Sequence, residues 1–315
     1  MFSAVWVVAP IFGLILAGAL VRRTGVMGPE ASTQLNRFVV WLALPALLFD
    51  VTAHATWRQL DQPGFIGAFG IGCLAVFALT AVVGRIAAGR HLADASVDGL
   101  AAAYPNTGYI GFPLALMVFG KASLPAVTIA TIITICVLFA LAIVLVEVGL
   151  QRERNPWRMA AKVVGSLARN PLLVAPVAGA AFSASGLAMP ASLQTFLTLL
   201  GGAASPCALV GLGLFIAEKR PAAPGGWTAP ASLTLAKLLG QPLLTWWLAH
   251  KVFALPPLEA DTAVLIAALP TGTGPFMLAE FYGREALSTS RTILLSTIGA
   301  LATLTVLVFL FRGHG

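Results

Sequence analysis

The chain has 315 residues, 58% of them hydrophobic and 10% charged, with a formal net charge of +7. A soluble domain carries about 25% charged residues, so this composition marks an integral membrane protein. The basic residues sit between apolar runs, as in cytoplasmic loops, and form no stripe interleaved with aromatics, which argues against a nucleic-acid partner.

A helical span needs about 20 apolar residues. Ten are expected along the chain, at 4–21, 38–55, 64–87, 99–119, 124–146, 171–188, 193–217, 227–248, 262–281 and 292–311. The first is no secretory signal, because Arg22 and Arg23 follow it and no basic segment precedes it. Membrane strands would need short alternating segments, which are absent. All Lys and Arg except Arg58, Lys121, Lys251, Arg312 and the intra-span Lys237 fall on one side of this layout. The positive-inside rule then makes that side cytoplasmic and places both termini outside a plasma (inner) membrane. The basic loop 147–170, with Trp157, is expected to lie along the headgroups. Trp6, Trp41, Trp57, Trp227, Trp246 and Trp247 suit headgroup belts or lipid-facing surfaces. Cys73, Cys136 and Cys207 all lie in spans and read as small packing residues rather than a disulfide or metal framework.

The halves of the chain match. Pro10, Gly18, Gly25, Pro29 and Pro45 recur at one fixed offset as Pro171, Gly179, Gly186, Pro190 and Pro206. Pro105 recurs as Pro270, and "FGKAS" (119–123) is answered by "YGREA" (282–286). An odd number of spans separates the equivalents, so the second half enters the membrane from the other side. The expected organisation is a five-helix repeat at 1–149, a basic linker at 150–170 and an inverted five-helix repeat at 171–315.

Two spans are interrupted at matching places. In "YPNTGYIGFP" Pro105 removes a backbone donor, and Asn106, Thr107 and Gly108 favour turns and caps. Its counterpart "LPTGTGPF" holds Pro270, Thr271, Gly272, Thr273 and Gly274. Pro45 and Pro242 read as ordinary kinks. Breaking a helix in hydrocarbon leaves backbone groups unpaired, at several kilocalories per mole each, and is tolerated where the backbone lines a cavity. Half-helices starting near Asn106 and Thr271 would aim N–H groups at an anion, while carbonyl ends near Tyr104 and Leu269 would suit a cation.

These motifs, with "LALPALLFD" and "SLARNPLLVAPVAGAAFSASGLAMP", resemble the bacterial members of the auxin efflux carrier family over nearly the whole chain. The resemblance implies an all-α fold of ten transmembrane helices in two inverted repeats, with the fourth and ninth helices broken and crossed. It implies a scaffold of helices 1, 2, 6 and 7, which would also form a homodimer, and a moving transport domain of helices 3–5 and 8–10. Small organic acids such as malate, malonate or an auxin-like acid are the implied substrates, carried by elevator-type alternating access. Asn106 matches an asparagine that contacts substrate carboxylate. At the second crossover Thr271 and Thr273 stand where family members often carry an amide. The short central loop argues against kinase control through it.

Ionisable residues inside spans complete the candidates. Lys237 sits mid-span, where charge costs about 2.5–3.5 kcal/mol on insertion scales, and reads as a substrate counter-charge or a part of ion coupling, with Gln241 one turn on. Asp50 and His54 share a helix face, as a proton-handling pair or an interfacial cap. Glu280 is placed to pair with Arg284, and Glu147 reads as an interface residue.

The sequence therefore predicts a secondary transporter of a small organic anion, with no cofactor and with a proton or sodium ion as coupling partner. A sodium symporter of the bile acid carrier type and a non-transporting carboxylate receptor are the alternatives. An intramembrane enzyme is disfavoured: there is no aspartate-rich metal motif, no nucleotide motif, and the histidines at 54, 91, 250 and 314 are scattered.

Overall fold

The computed structural model describes residues 2–55, 61–151, 156–218 and 226–312. Trp57, Arg58, Arg152, Arg154, Lys219, Arg220 and His314, and the side chains of Trp6 and Arg312, lie outside the described residues. Within them the chain is helical, and its only strand-like pairing is one isolated bridge. In chain order the elements are α1 (Phe2–Arg23), α2 (Ala31–Ala53), α3 (Pro63–Ile86), α4 (Leu92–Ala103), α5 (Phe112–Phe119), α6 (Lys121–Leu150) and α7 (Pro156–Leu167). There follow α8 (Pro171–Ser185), α9 (Ala191–Ile216), α10 (228–252), α11 (Pro257–Ala267), α12 (Gly274–Phe281) and α13 (Leu287–Arg312). Five of these, α2, α3, α6, α9 and α13, are long and apolar enough to cross a membrane; a sixth arises if α7 and α8, bent by 69° at their junction, form one span.

Helix boundaries follow local chemistry. Prolines open α3, α7, α8 and α11, where the missing N–H is no loss. Asn170 caps α8 by accepting from the Leu172 amide at 3.0 Å. Gly25 after α1 and Gly186 after α8 both take left-handed φ values of 76° and 69°, as do Gly120 after α5 and Gly283 after α12, at 71° and 60°. Gly25 and Gly186 are a pair at the fixed repeat offset, and Gly120 and Gly283 are the glycines of the matching segments "FGKAS" and "YGREA". Two prolines inside apolar helices follow wide π turns, Val39–Ala43 before Pro45 and Ala236–Gly240 before Pro242, whereas Pro10 and Pro176 sit in continuous α-helix.

Two packed groups result. In one, α1 lies along α9 and α8 along α2. Small residues let the backbones touch: a Cβ on Gly18 would strike the Val210 carbonyl, and one on Gly179 would strike the Phe49 carbonyl and the Thr52 hydroxyl. In the other, α4 packs on α3, α6 and α12, and α10 packs on α3, α11 and α13. Contacts between the groups are fewer. One is the Asn36 side-chain amide on α2, which donates to the Met277 carbonyl on α12 at 3.3 Å. The loop expected to lie along headgroups contains α7, whose Trp157 is 84% exposed. Trp41, Trp227, Trp246 and Trp247 are also exposed, as expected of lipid-facing or headgroup tryptophans.

Candidate functional site

The two interrupted segments meet. Pro105 and Thr271 form an antiparallel bridge, in which the Asn106 amide donates to the Pro270 carbonyl at 2.9 Å and the Gly272 amide to the Tyr104 carbonyl at 3.0 Å. On the far side of each break a new helix begins: a π turn, Thr107–Gly111, runs into α5, and α12 starts at Gly274. The second of these starts three residues later than Thr271, where the sequence placed it, because the bridge holds Pro270 to Gly272 extended. Thr273 stands at its N-cap position without a side-chain capping bond, and Pro275 occupies its first turn.

The carbonyl ends of α4 and α11 are satisfied by specific donors. Ala101 would normally accept from the amide of residue 105, but Pro105 has none; the Thr271 hydroxyl donates to it instead, at 2.8 Å. The Thr107 amide turns to the Pro105 carbonyl, and Ala103 accepts from the Gln241 side-chain amide at 3.1 Å. The Thr271 amide donates to Ser296 Oγ at 3.1 Å, and Ala267 accepts from Lys237 Nζ at 2.7 Å. Lys237, Gln241 and Thr271 are all buried.

On the amide side of the crossing lies a cavity of about 210 Å³. The first break contributes Tyr104, Pro105, Asn106, Thr107 and Gly108, and the second contributes Gly272 and Thr273. The opposite wall belongs to the other packed group: Leu44 and Leu47 of α2, and Gly201, Gly202 and Ser205 of α9. Thr107 is 1% exposed and its Oγ1 has no hydrogen-bond partner among the described residues. Tyr104 packs its ring 5.8 Å from that of Phe139 and lies over Gly272 and Gly274, where added Cβ atoms would meet it at 2.9 and 2.7 Å.

Of the residues singled out in the sequence, Pro270, Thr271, Gly274, Lys237 and Gln241 do not line this cavity. They build the crossing behind it. Asp50 and His54 are not in its lining either: Asp50 Oδ1 lies 3.2 Å from His54 Nδ1 and accepts from the Gln194 amide at 3.0 Å, joining α2 to α9. Ser205, Gly201 and Gly202 are wall residues that the sequence reading missed. The available signal was "GGAASP" within an expected span, with Ser205 at the repeat offset from Leu44.

Residues near Arg284 and Tyr282 also find partners across elements. Arg284 forks onto Asp94 of α4, at 2.8 and 2.6 Å, a carboxylate partner that its own helix spacing did not suggest. Glu147, expected at an interface, is 8% exposed and accepts from the Tyr282 hydroxyl at 2.7 Å; that hydroxyl accepts in turn from the Asn170 amide at 3.2 Å. Burial, then the bond to Glu147, push the Tyr282 phenol above its ordinary range, which keeps it a proton donor.

A profile described as "Membrane transport protein" matches residues 3–308. The chain belongs to this family. The expected kinship with the auxin efflux carriers is thereby borne out, and the protein is a multi-pass membrane transporter. A protein named "Putative malonate transporter" from Rhizobium meliloti (strain 1021) is 33% identical over 97% of this chain and 95% of its own length. An "Uncharacterized transporter" from Methanothermobacter thermautotrophicus is 26% identical over 92% of this chain and 93% of its own length. The mouse "Lysosomal cholesterol signaling protein" is 25% identical over 74% of this chain but only 28% of its own length.

Proposed function

We propose that this family member is a secondary transporter of a small dicarboxylate such as malonate or malate, held at the crossing of the two broken helices. The observation that carries the reading is the cavity lined by both breaks, whose wall includes Thr107 with a buried hydroxyl that has no hydrogen-bond partner among the described residues. First-turn amides have no intrahelical acceptor, and they make a helix N-terminus an anion site. The turn at Thr107 and the start of α12 both open beside this cavity. Asn106, partly exposed in the lining, is the proposed side-chain contact to the carboxylate. Thr273 takes the corresponding place in the second half, where relatives of the auxin carriers often carry an amide. A volume of about 210 Å³ suits a three- or four-carbon diacid better than a bulky aromatic acid. The similarity to a protein named for malonate transport agrees with that choice.

The proposed architecture is ten spans in two inverted repeats, with both termini outside a plasma membrane. The interrupted fourth span is α4 with α5, and the ninth is α11 with α12. Matched left-handed glycines and the reciprocal packing of Gly18 and Gly179 support the repeat. The group of α1, α2, α8 and α9 would be the scaffold and the site of dimerisation. The group carrying the crossing would move against it and switch the cavity between membrane faces. That the cavity has one wall from each group supports this mechanism.

Uptake of radiolabelled malonate and malate by proteoliposomes, under an imposed proton gradient and then a sodium gradient, tests the proposal. Saturable uptake of either acid is expected. A wild-type protein that takes up neither acid under either gradient would refute it.

A further inference from the structure

The structure points to a second function for Lys237. We propose that its ammonium is a tethered cation that fills the place a free sodium ion would take at the carbonyl ends of the crossed helices. The site then works without sodium. This rests on the transporter reading for its consequence, but its geometry stands apart from the substrate cavity.

The crossing has two electrostatic sides. Its amide side faces the cavity. Its carbonyl side is where the negative ends of α4 and α11 meet, brought together by the Pro105–Thr271 bridge. In transporters with broken helices, such carbonyl ends and unwound backbone are where a coupling cation binds. Here α10 runs directly behind them. Lys237 Nζ is 2.7 Å from the Ala267 carbonyl, at the end of α11. One turn on, the Gln241 amide is 3.1 Å from the Ala103 carbonyl, at the end of α4. The same helix face thus serves both ends, and it does so from a π turn, Ala236–Gly240, that carries Lys237.

Lysine is an unusual choice for a plain carbonyl cap. Both positions are fully buried, and a neutral amide suffices at Ala103. A buried ammonium is tolerated only where negative charge or dipole compensates it, and two helix C-termini supply that. A second monovalent cation beside it would meet direct repulsion in a medium of low dielectric. The neighbourhood would otherwise suit one. Gln241 Oε1 and Thr245 Oγ1, on the same face of α10, are buried acceptors with no hydrogen-bond partner among the described residues. The Gln241 oxygen, beside the carbonyl end of α4, is an oxygen ligand of the kind a hard cation takes. Lysine in place of that ion tethers the cation to the fold, independent of the external salt.

The test is thermal unfolding of purified protein in sodium, potassium, methylammonium or N-methylglucamine chloride at equal ionic strength. Wild type should melt at the same temperature in all four. Lys237→Ala should melt about 4 °C lower or more in N-methylglucamine, and methylammonium or sodium should restore part of that loss. Lys237→Gln, which keeps a donor but no charge, should not recover the wild-type midpoint. Saturable stabilisation of wild type by sodium alone would overturn the proposal, since the carbonyl ends would then hold a free ion. So would a Lys237→Gln protein that matches wild type in every salt. If Lys237→Ala does not fold, the wild-type series and Lys237→Gln still decide. Binding of labelled malonate to wild type, equal in sodium and N-methylglucamine, is the functional arm. Absence of malonate binding in both salts would count against the substrate reading and leave the melting results to judge Lys237.

Discussion

The Thr271 hydroxyl donates to the carbonyl of Ala101, so a residue of one broken helix closes the end of the other. The need arises four residues downstream of Ala101, where Pro105 has no amide to offer. Thr271→Val keeps the shape and removes the donor. It should cost about 1–3 kcal/mol, the penalty for a buried carbonyl left unpaired. Thr271→Ser should retain most of the stability. Chemical or thermal unfolding in detergent measures both.

Thr107 should behave in the opposite way. Its hydroxyl is buried without a partner, so Thr107→Val should leave the unfolding midpoint unchanged or raise it. Malonate affinity should nevertheless fall at least about tenfold, the worth of a hydrogen bond to a charged group, roughly 1.5–3 kcal/mol. Calorimetric titration beside an unfolding scan separates the two effects. A variant that loses stability and keeps affinity would make Thr107 a structural residue.

Both breaks were legible in the sequence, because proline and glycine clusters have no business inside an ordinary span. Their far sides were less so. The start of α12 was placed at Thr271, although Pro275 marks the first turn of the helix that begins at Gly274. Pairing between the two breaks, which keeps Pro270 to Gly272 extended, is a contact between segments far apart in sequence, and local propensity does not report it. Lys237 stood out as a charge within a span, but only the fold shows that it donates to a helix end. Gly201, Gly202 and Ser205 were passed over because small residues in a span read as packing. Their role as a wall depends on the second group of helices lying opposite the crossing.

Tyr104 sets a steric limit on the second break. An added Cβ at Gly274 would sit 2.7 Å from its ring carbon Cζ. Gly274→Ala should therefore cost about 1–3 kcal/mol through displacement of a buried ring. Adding Tyr104→Leu to Gly274→Ala should recover part of the loss, and a double-mutant cycle of unfolding free energies measures that coupling.

Tyr282 joins the two packed groups at one end, through Glu147 of α6 and Asn170 at the cap of α8. If the groups move against each other during transport, this link must break once per cycle. Tyr282→Phe should then raise or lower the maximal uptake rate at least about twofold, with malonate affinity unchanged, since the cavity does not include it. Initial uptake rates in proteoliposomes, read against equilibrium binding, test this. An unchanged rate would remove the link from the mechanism.

The central claim is that a carboxylate sits at the crossing, beside Asn106. Equilibrium binding of labelled malonate to purified wild type and to Asn106→Ala tests it most directly. The account predicts saturable wild-type binding that weakens at least about tenfold in Asn106→Ala, as expected when a hydrogen bond to a charged group is lost. Equal affinity in the two proteins would contradict it, and would place the anion elsewhere in the molecule.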